Sequence, residues 1–141
     1  MQMNNILIDL INSEKADCVL YNNEEIVTSE KGRGIKPLFT IYNKYLRELE
    51  GSLVLDKVIG KGAAILLCKA KVGKVYTKLI SKKALELLEQ YSITVEYEDN
   101  VEYIQNREKT GMCPLEKRVF NITDIDKGFE EILVFVNDLN N

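Results

Sequence analysis

From residue 52 to residue 97 the chain alternates strand-like and helix-like segments, and the junctions carry glycine or a helix-capping residue. Residues 52–59 read as a buried strand. Gly60, Lys61 and Gly62 turn that strand into an apolar helix over residues 63–70. Gly73 punctuates, and residues 74–80 alternate as a strand with one solvated face. Ser81 is a good N-cap for a helix containing Ala84, Leu85, Leu87 and Leu88, and residues 93–97 form a further alternating strand. Strand, helix, strand in this order predicts parallel strand pairs joined by right-handed helical crossovers, with helices on both faces of one sheet.

The flanking segments extend the pattern. Ile6, Leu7, Leu10 and Ile11 lie at helical spacing and predict an opening amphipathic helix over residues 3–14. Residues 18–21 and 25–28 read as a tight β-hairpin turning at Asn22 and Asn23, because asparagine tolerates the left-handed conformation such a turn needs. After a glycine-rich loop, Pro37 suits the first turn of a helix that continues through Leu38, Ile41, Tyr42, Tyr45, Leu46 and Leu49 and stops at Gly51. Residues 98–121 lack a period. Thr123 or Asp124 then caps a last helix with Phe129, Ile132, Leu133 and Val136 on one face. The expected fold is one α/β domain over residues 1–141. It is a three-layer α/β/α sandwich on a mixed five-stranded sheet whose first hairpin is antiparallel.

Composition narrows the chemistry. The 141 residues include no histidine, and the three cysteines Cys18, Cys68 and Cys113 are far apart. Zinc hydrolase or deaminase chemistry of the usual kind needs about three side-chain nitrogen or sulfur ligands, which this chain does not gather. The cysteine usage suits a reducing cytoplasm. No apolar run reaches the roughly 18 residues of a membrane span. A net charge of −3 argues against a general nucleic-acid or membrane-surface protein.

The element order is similar to the cytidine deaminase-like fold, in which two helix N-termini bring the zinc motifs H-x-E (or C-x-E) and P-C-x-x-C together. The stretch from Asp56 through Gly60, Lys61 and Gly62 to Ala64, with Asn106, Arg107 and Gly111 to Glu116, resembles a family of small prokaryotic proteins of domain-of-unknown-function type with that fold. Where the resemblance would place the two metal motifs, this chain has Gly32-Arg33-Gly34-Ile35-Lys36-Pro37 and Gly60-Lys61-Gly62-Ala63-Ala64. Neither segment offers a zinc ligand, so no cofactor is expected.

Both segments set glycines around a cation at a turn feeding a helix N-terminus. Backbone N–H groups and the positive helix end favour an anion there. A phosphate site would use Gly60, Lys61 and Gly62, assisted by Arg33, Gly34 and Lys36. The competing account is two ordinary turns with glycines for close packing. The motif is not a Walker A sequence. Eight lysines and no acid between residues 57 and 83 give the acidic chain a basic middle, which solvated faces also explain. Glu96, Glu98, Asp99 and Glu102 are either a divalent-cation site or a solvated strand end, and the second account is the plainer one.

Asn106 and Arg107 could reach a phosphate or sugar, and Arg107 could equally pair with Glu108 or Glu116. Cys113 and Glu116 are the candidate catalytic residues, although a thiol with no histidine to activate it is more often packing. The leading expectation is a metal-free deaminase-like domain that binds a nucleotide-like or other phosphate-bearing small molecule, as a sensor or accessory module. Two other readings stand beside it. One is an enzyme using Cys113 as nucleophile on a nucleotide-derived group. The other is an interaction module that self-associates, or pairs with a partner, through an edge strand.

Overall fold

The computed structural model describes residues 5–140. Its sheet begins with a hairpin, β1 (Cys18–Asn22) and β2 (Glu25–Glu30), and continues through β3 (Leu53–Ile59), β4 (Lys74–Ser81) and β5 (Thr94–Val101). The order across the sheet is β2-β1-β3-β4-β5. β1 runs antiparallel to both neighbours, and β3, β4 and β5 are mutually parallel, so β3 sits where the direction changes. The mixed five-stranded sheet with an antiparallel first hairpin is as expected. The hairpin turns one residue later than the sequence suggests. Asn22 pairs with Glu25, while Asn23 and Glu24 take the left-handed conformation at φ 52° and 64°. The Asn22 side chain donates to the Glu48 carbonyl at 2.8 Å, which holds Asn22 within the strand.

Helices cover both faces unequally. Among the described residues α1 (Asn5–Asn12) alone packs on one face, where Leu7 and Ile11 meet Val19, Leu53, Leu55 and Tyr76. The other face carries α2 (Lys36–Lys44), α4 (Lys61–Lys69) and α5 (Lys82–Gln90), with α3 (Leu46–Leu49) following α2. α7 (Ile125–Leu139) lies against α4. Every residue of α4 from Lys61 to Cys68 is therefore buried. A helix apolar all round must be enclosed, and this one is.

Three expectations change. The helix expected to run from Leu38 to Leu49 breaks at Tyr45, whose backbone (φ −130°, ψ 35°) is not helical. The stretch without a period holds the end of β5 and a six-residue helix, α6 (Pro114–Val119). Pro114 opens α6 at a position where its missing N–H costs nothing, but six residues are too few to show a helical period. On α7, Leu133 is 42% exposed, and Phe135 packs with Phe129, Ile132 and Val136 instead. Among the described residues, no helix is long and apolar enough to cross a membrane.

The α7–α4 contact depends on Gly128, which is buried mid-helix. A Cβ added there would lie 2.5 Å from Ile65 Cδ1. Helix propensity favours Gly128→Ala by about 1 kcal/mol, while the clash in a closely packed core opposes it. Ile65→Val removes the methyl that clashes. We expect G128A/I65V to be more stable than the sum of the two single variants by at least about 0.5 kcal/mol in denaturant titrations. Simple additivity would show that this contact does not limit the packing.

Candidate functional site

Gly60 is the N-cap of α4 and, having no side chain, leaves the first N–H groups of the helix to find acceptors elsewhere. The acceptor comes from α6. Glu116, 2% exposed, takes a hydrogen bond from the Lys61 N–H at 2.7 Å on Oε1 and from the Ile104 N–H at 2.8 Å on Oε2. The Ser81 hydroxyl, which also caps α5, lies 3.4 Å from Oε1. A carboxylate at this position is favoured by the positive end of α4. The glycines make room for it. A Cβ at Gly62 would lie 2.7 Å from the Leu115 side chain, and one at Gly60 would lie 3.4 Å from both Glu116 oxygens.

The Lys61 side chain leaves in the other direction. Its ammonium donates to the Phe120 carbonyl at 3.0 Å and to the Ile122 carbonyl, tying down the C-terminal end of α6. Burial pushes this amine below the usual lysine range. Nearby Lys83 adds to the shift, and Glu116 and Glu86 oppose it. The expected phosphate contact of Lys61 is thus replaced by an internal one. The α4 amide that would meet a phosphate is already occupied by Glu116.

The turn before α2 follows the same logic. Gly32, at φ +150°, donates its N–H to Asp17 Oδ2 at 2.8 Å, and Asp17 Oδ1 pairs with the Lys57 ammonium at 2.8 Å. Partial burial works against the Asp17 carboxylate, but Lys57 and the Gly32 amide outweigh it and hold the group below the usual range. Arg33 and Lys36 project into solvent. Gly32, Gly34, Gly60 and Gly62 nevertheless line one cavity of about 190 Å³. The two turns converge, as expected. The cationic side chains beside them do not.

The wall of this cavity also holds Asp56, Cys113 and Glu116, set among apolar groups such as Val58, Ile104 and Leu115. Asp56, on β3, is 7% exposed. Burial raises its pKa from the ordinary 3.8 to about 8. Hydrogen bonds from the Val58 and Lys57 amides offset part of the rise, and Asp17 adds to it. Across the strand pair lies Cys18, whose thiol is pushed well up by burial and by Asp56 itself. Sequence reading did not single out Asp56 or Asp17 as site residues. The available signal was a lone acid in the middle of a buried-looking strand, the strand that feeds the Gly60 turn.

Asn106 and Arg107 stand apart. The Asn106 side chain closes its own loop, donating to Thr110 Oγ1 and accepting the Thr110 N–H, each at 3.0 Å. It borders a separate shallow depression with Lys109. Arg107 is exposed. Cys113 is half-buried, and its N–H donates to the Ile104 carbonyl at 2.7 Å.

The domain-of-unknown-function family DUF1893 matches residues 6–136. The chain belongs to the DUF1893 family. A DUF1893 protein from Thermotoga maritima, known from its crystal structure, is 28% identical and superposes with a TM-score of 0.85, over 95% of this chain and 92% of its own. Two solved structures share the fold at low identity, each with a TM-score of 0.50. Acinetobacter baumannii RibD is 16% identical, over 65% of this chain and 33% of its own. A dCMP deaminase from the cyanophage S-TIM5 is 12% identical, over 68% of this chain and 99% of its own. No curated protein matches.

The deaminase-like fold raises the question of zinc. In this DUF1893 chain the two turns present glycines, and Cys113 is the one sulfur in the cavity wall. Among the described residues no three His, Cys, Asp or Glu gather as metal ligands, which includes the acids of β5. The residues present do not fit that ion.

Two outcomes follow from the buried charges. Lys61→Ala leaves the Phe120 and Ile122 carbonyls without their donor and should cost roughly 2–3 kcal/mol in chemical denaturation. Arg33→Ala should stay within about 0.5 kcal/mol of wild type. An unchanged Lys61→Ala stability would remove the clamp. Asp56 binds its proton more tightly in the folded state, so its contribution is complete below the unfolded pKa near 3.8 and declines as pH rises toward about 8. The slope is at most about 1.4 kcal/mol per pH unit. Asp56→Asn should flatten that part of the stability–pH curve. A curve unchanged by the substitution would show that Asp56 titrates normally.

Proposed function

We propose that this DUF1893 domain is a metal-free, deaminase-like module that binds a nucleotide-like small molecule in the cavity between the α2 and α4 turns, as a sensor or accessory protein. The observation that carries this reading is the convergence of Gly32, Gly34, Gly60 and Gly62 on one concave, largely apolar space with a few polar groups, the usual make-up of a small-molecule site. A neighbour of the same fold is named for dCMP, a nucleotide. Glu116 and Asp17 occupy the turn amides, so the uncharged part of the ligand enters the cavity. A phosphate stays at the rim, where Arg33 and Lys36 are exposed.

A second reading, cysteine-dependent chemistry, has one observation in its favour. Cys113 is half-buried in the cavity wall, whereas Cys18 and Cys68 are buried. Glu116 would serve beside it, but its carboxylate is already committed to backbone amides. Alkylation faster than that of a model thiol at neutral pH would support this reading, and an equal or slower rate would remove it.

Thermal-shift measurements with a panel of nucleosides and nucleotides test the leading reading. At 100 times its Kd a ligand adds about 2.7 kcal/mol to stability. Val58 is 42% exposed at the cavity mouth, so Val58→Trp should block the ligand without disturbing the core. We expect at least one compound to raise the melting temperature of the wild type and not of V58W. Arg33→Ala should reduce the advantage of nucleotide over nucleoside. No shift with any compound, or equal shifts in V58W, would overturn the assignment.

A further inference from the structure

The cations on the segments around this cavity are engaged elsewhere or lie in solvent. Lys57 is held by Asp17, Lys61 by two carbonyls of the α6 end, and Arg33 and Lys36 are exposed. The turn amides of Gly32 and Lys61 are held by Asp17 and Glu116. Asp56 is the third acid of this wall, and the amides it accepts, those of Val58 and Lys57, belong to its own strand rather than to either turn. It lies in the cavity wall, more than nine-tenths buried, and among the described residues no ion pair reaches it.

We infer that Asp56 recognises its ligand as an uncharged carboxylic acid, donating through its O–H and accepting through its C=O, so that it pairs with an N–H beside a carbonyl, the edge of an amide or a lactam. This rests on reading the cavity as a small-molecule site, and it names the chemistry that site selects. A protonated carboxyl has one donor and remaining acceptor capacity. A cis-amide edge offers the complementary pair, so both hydrogen bonds form with no net charge placed among Val58, Ile104 and Leu115. A cationic ligand would first have to strip the proton and then bury an ion pair, whose desolvation cost in such surroundings is high. An anionic ligand would meet three acids and no uncommitted cation in the wall.

The groups around Asp56 favour the uncharged form. Burial, the largest cause, and the negative charge of Asp17 in the segment before β1 outweigh the Val58 and Lys57 amides, so that the pKa is raised to about 8. The Cys18 thiol on β1 lies against the carboxyl and is itself held protonated. The Lys57 ammonium on β3 is spent on Asp17, and the Glu116 carboxylate on α6 is spent on two amides. Cys113 lines the same wall. Recognition is therefore linked to pH. The ligand-competent state is present below about pH 8, and above it affinity should fall about tenfold per unit as the proton must be restored on binding.

The probe is 2-pyridone, a minimal lactam, with N-methyl-2-pyridone as the partner lacking the N–H. Binding is followed by chemical-shift titration of the full chain at about pH 6 and about pH 9, on either side of the Asp56 value. The expected result is binding of 2-pyridone at the lower pH with perturbations at β3 and the α4 turn, weakening roughly tenfold at the higher pH, and no binding of the methylated probe. Asp56→Asn keeps a donor and an acceptor side by side, so it should bind with equal affinity at both pH values. Asp56→Leu should not bind. Nucleosides that bind wild type and D56L alike would overturn this inference and leave the cavity assignment standing. The same holds for affinity that rises with pH. If neither the nucleosides nor 2-pyridone binds, both fall.

Discussion

Glu116 is where the helical layers and the strand ends of this domain meet. Its carboxylate lies at the start of α4, accepts two backbone amides, and contacts the serine that caps α5. In the same contact Lys61 returns the favour, since its ammonium holds the carbonyls that end α6. One residue from each helix satisfies the free end of the other. Both groups are buried, and a buried charge is tolerated only when hydrogen bonds replace water. The short α6 has little intrinsic tendency to form, and this pair gives it a fixed seat.

That seat determines the chemistry of the cavity. The glycines of the α2 and α4 turns line a common space. Here Asp17 answers the first turn and Glu116 the second, so the positive helix ends are already balanced from within. A space whose positive features are neutralised no longer draws anions into its depth. What remains deep in the wall is Asp56, for which removal of water outweighs the neighbouring amides and keeps the proton on at neutral pH. The polarity inside is that of a hydrogen-bonding acid, while Arg33 and Lys36 are exposed to solvent.

Much of the fold was legible because periodicity and punctuation are local. The two crossovers, the Ser81 cap, the Asp124 cap and the antiparallel hairpin all rest on residues within a few positions of one another. The misses have physical causes too. Tyr45 interrupts a helix whose apolar spacing runs on through it. The α6 helix is shorter than two turns, and on α7 Leu133 is exposed while Phe135 packs on the core, because the buried stripe is set by what lies against the helix.

At the site, the sequence determined that two turns carry glycines and that zinc ligands are missing from both, because backbone freedom and side-chain chemistry belong to residues one at a time; that the turns share one space followed from the fold. Tertiary structure decided which way each charge points. Lys61 and Glu116 are separated by 55 positions, and Asp17 and Gly32 by 15. Whether a lysine faces a cavity or a distant carbonyl depends on what folding brings beside it. Whether an aspartate keeps its proton depends on how much water folding removes, and neither quantity is carried by the residue alone.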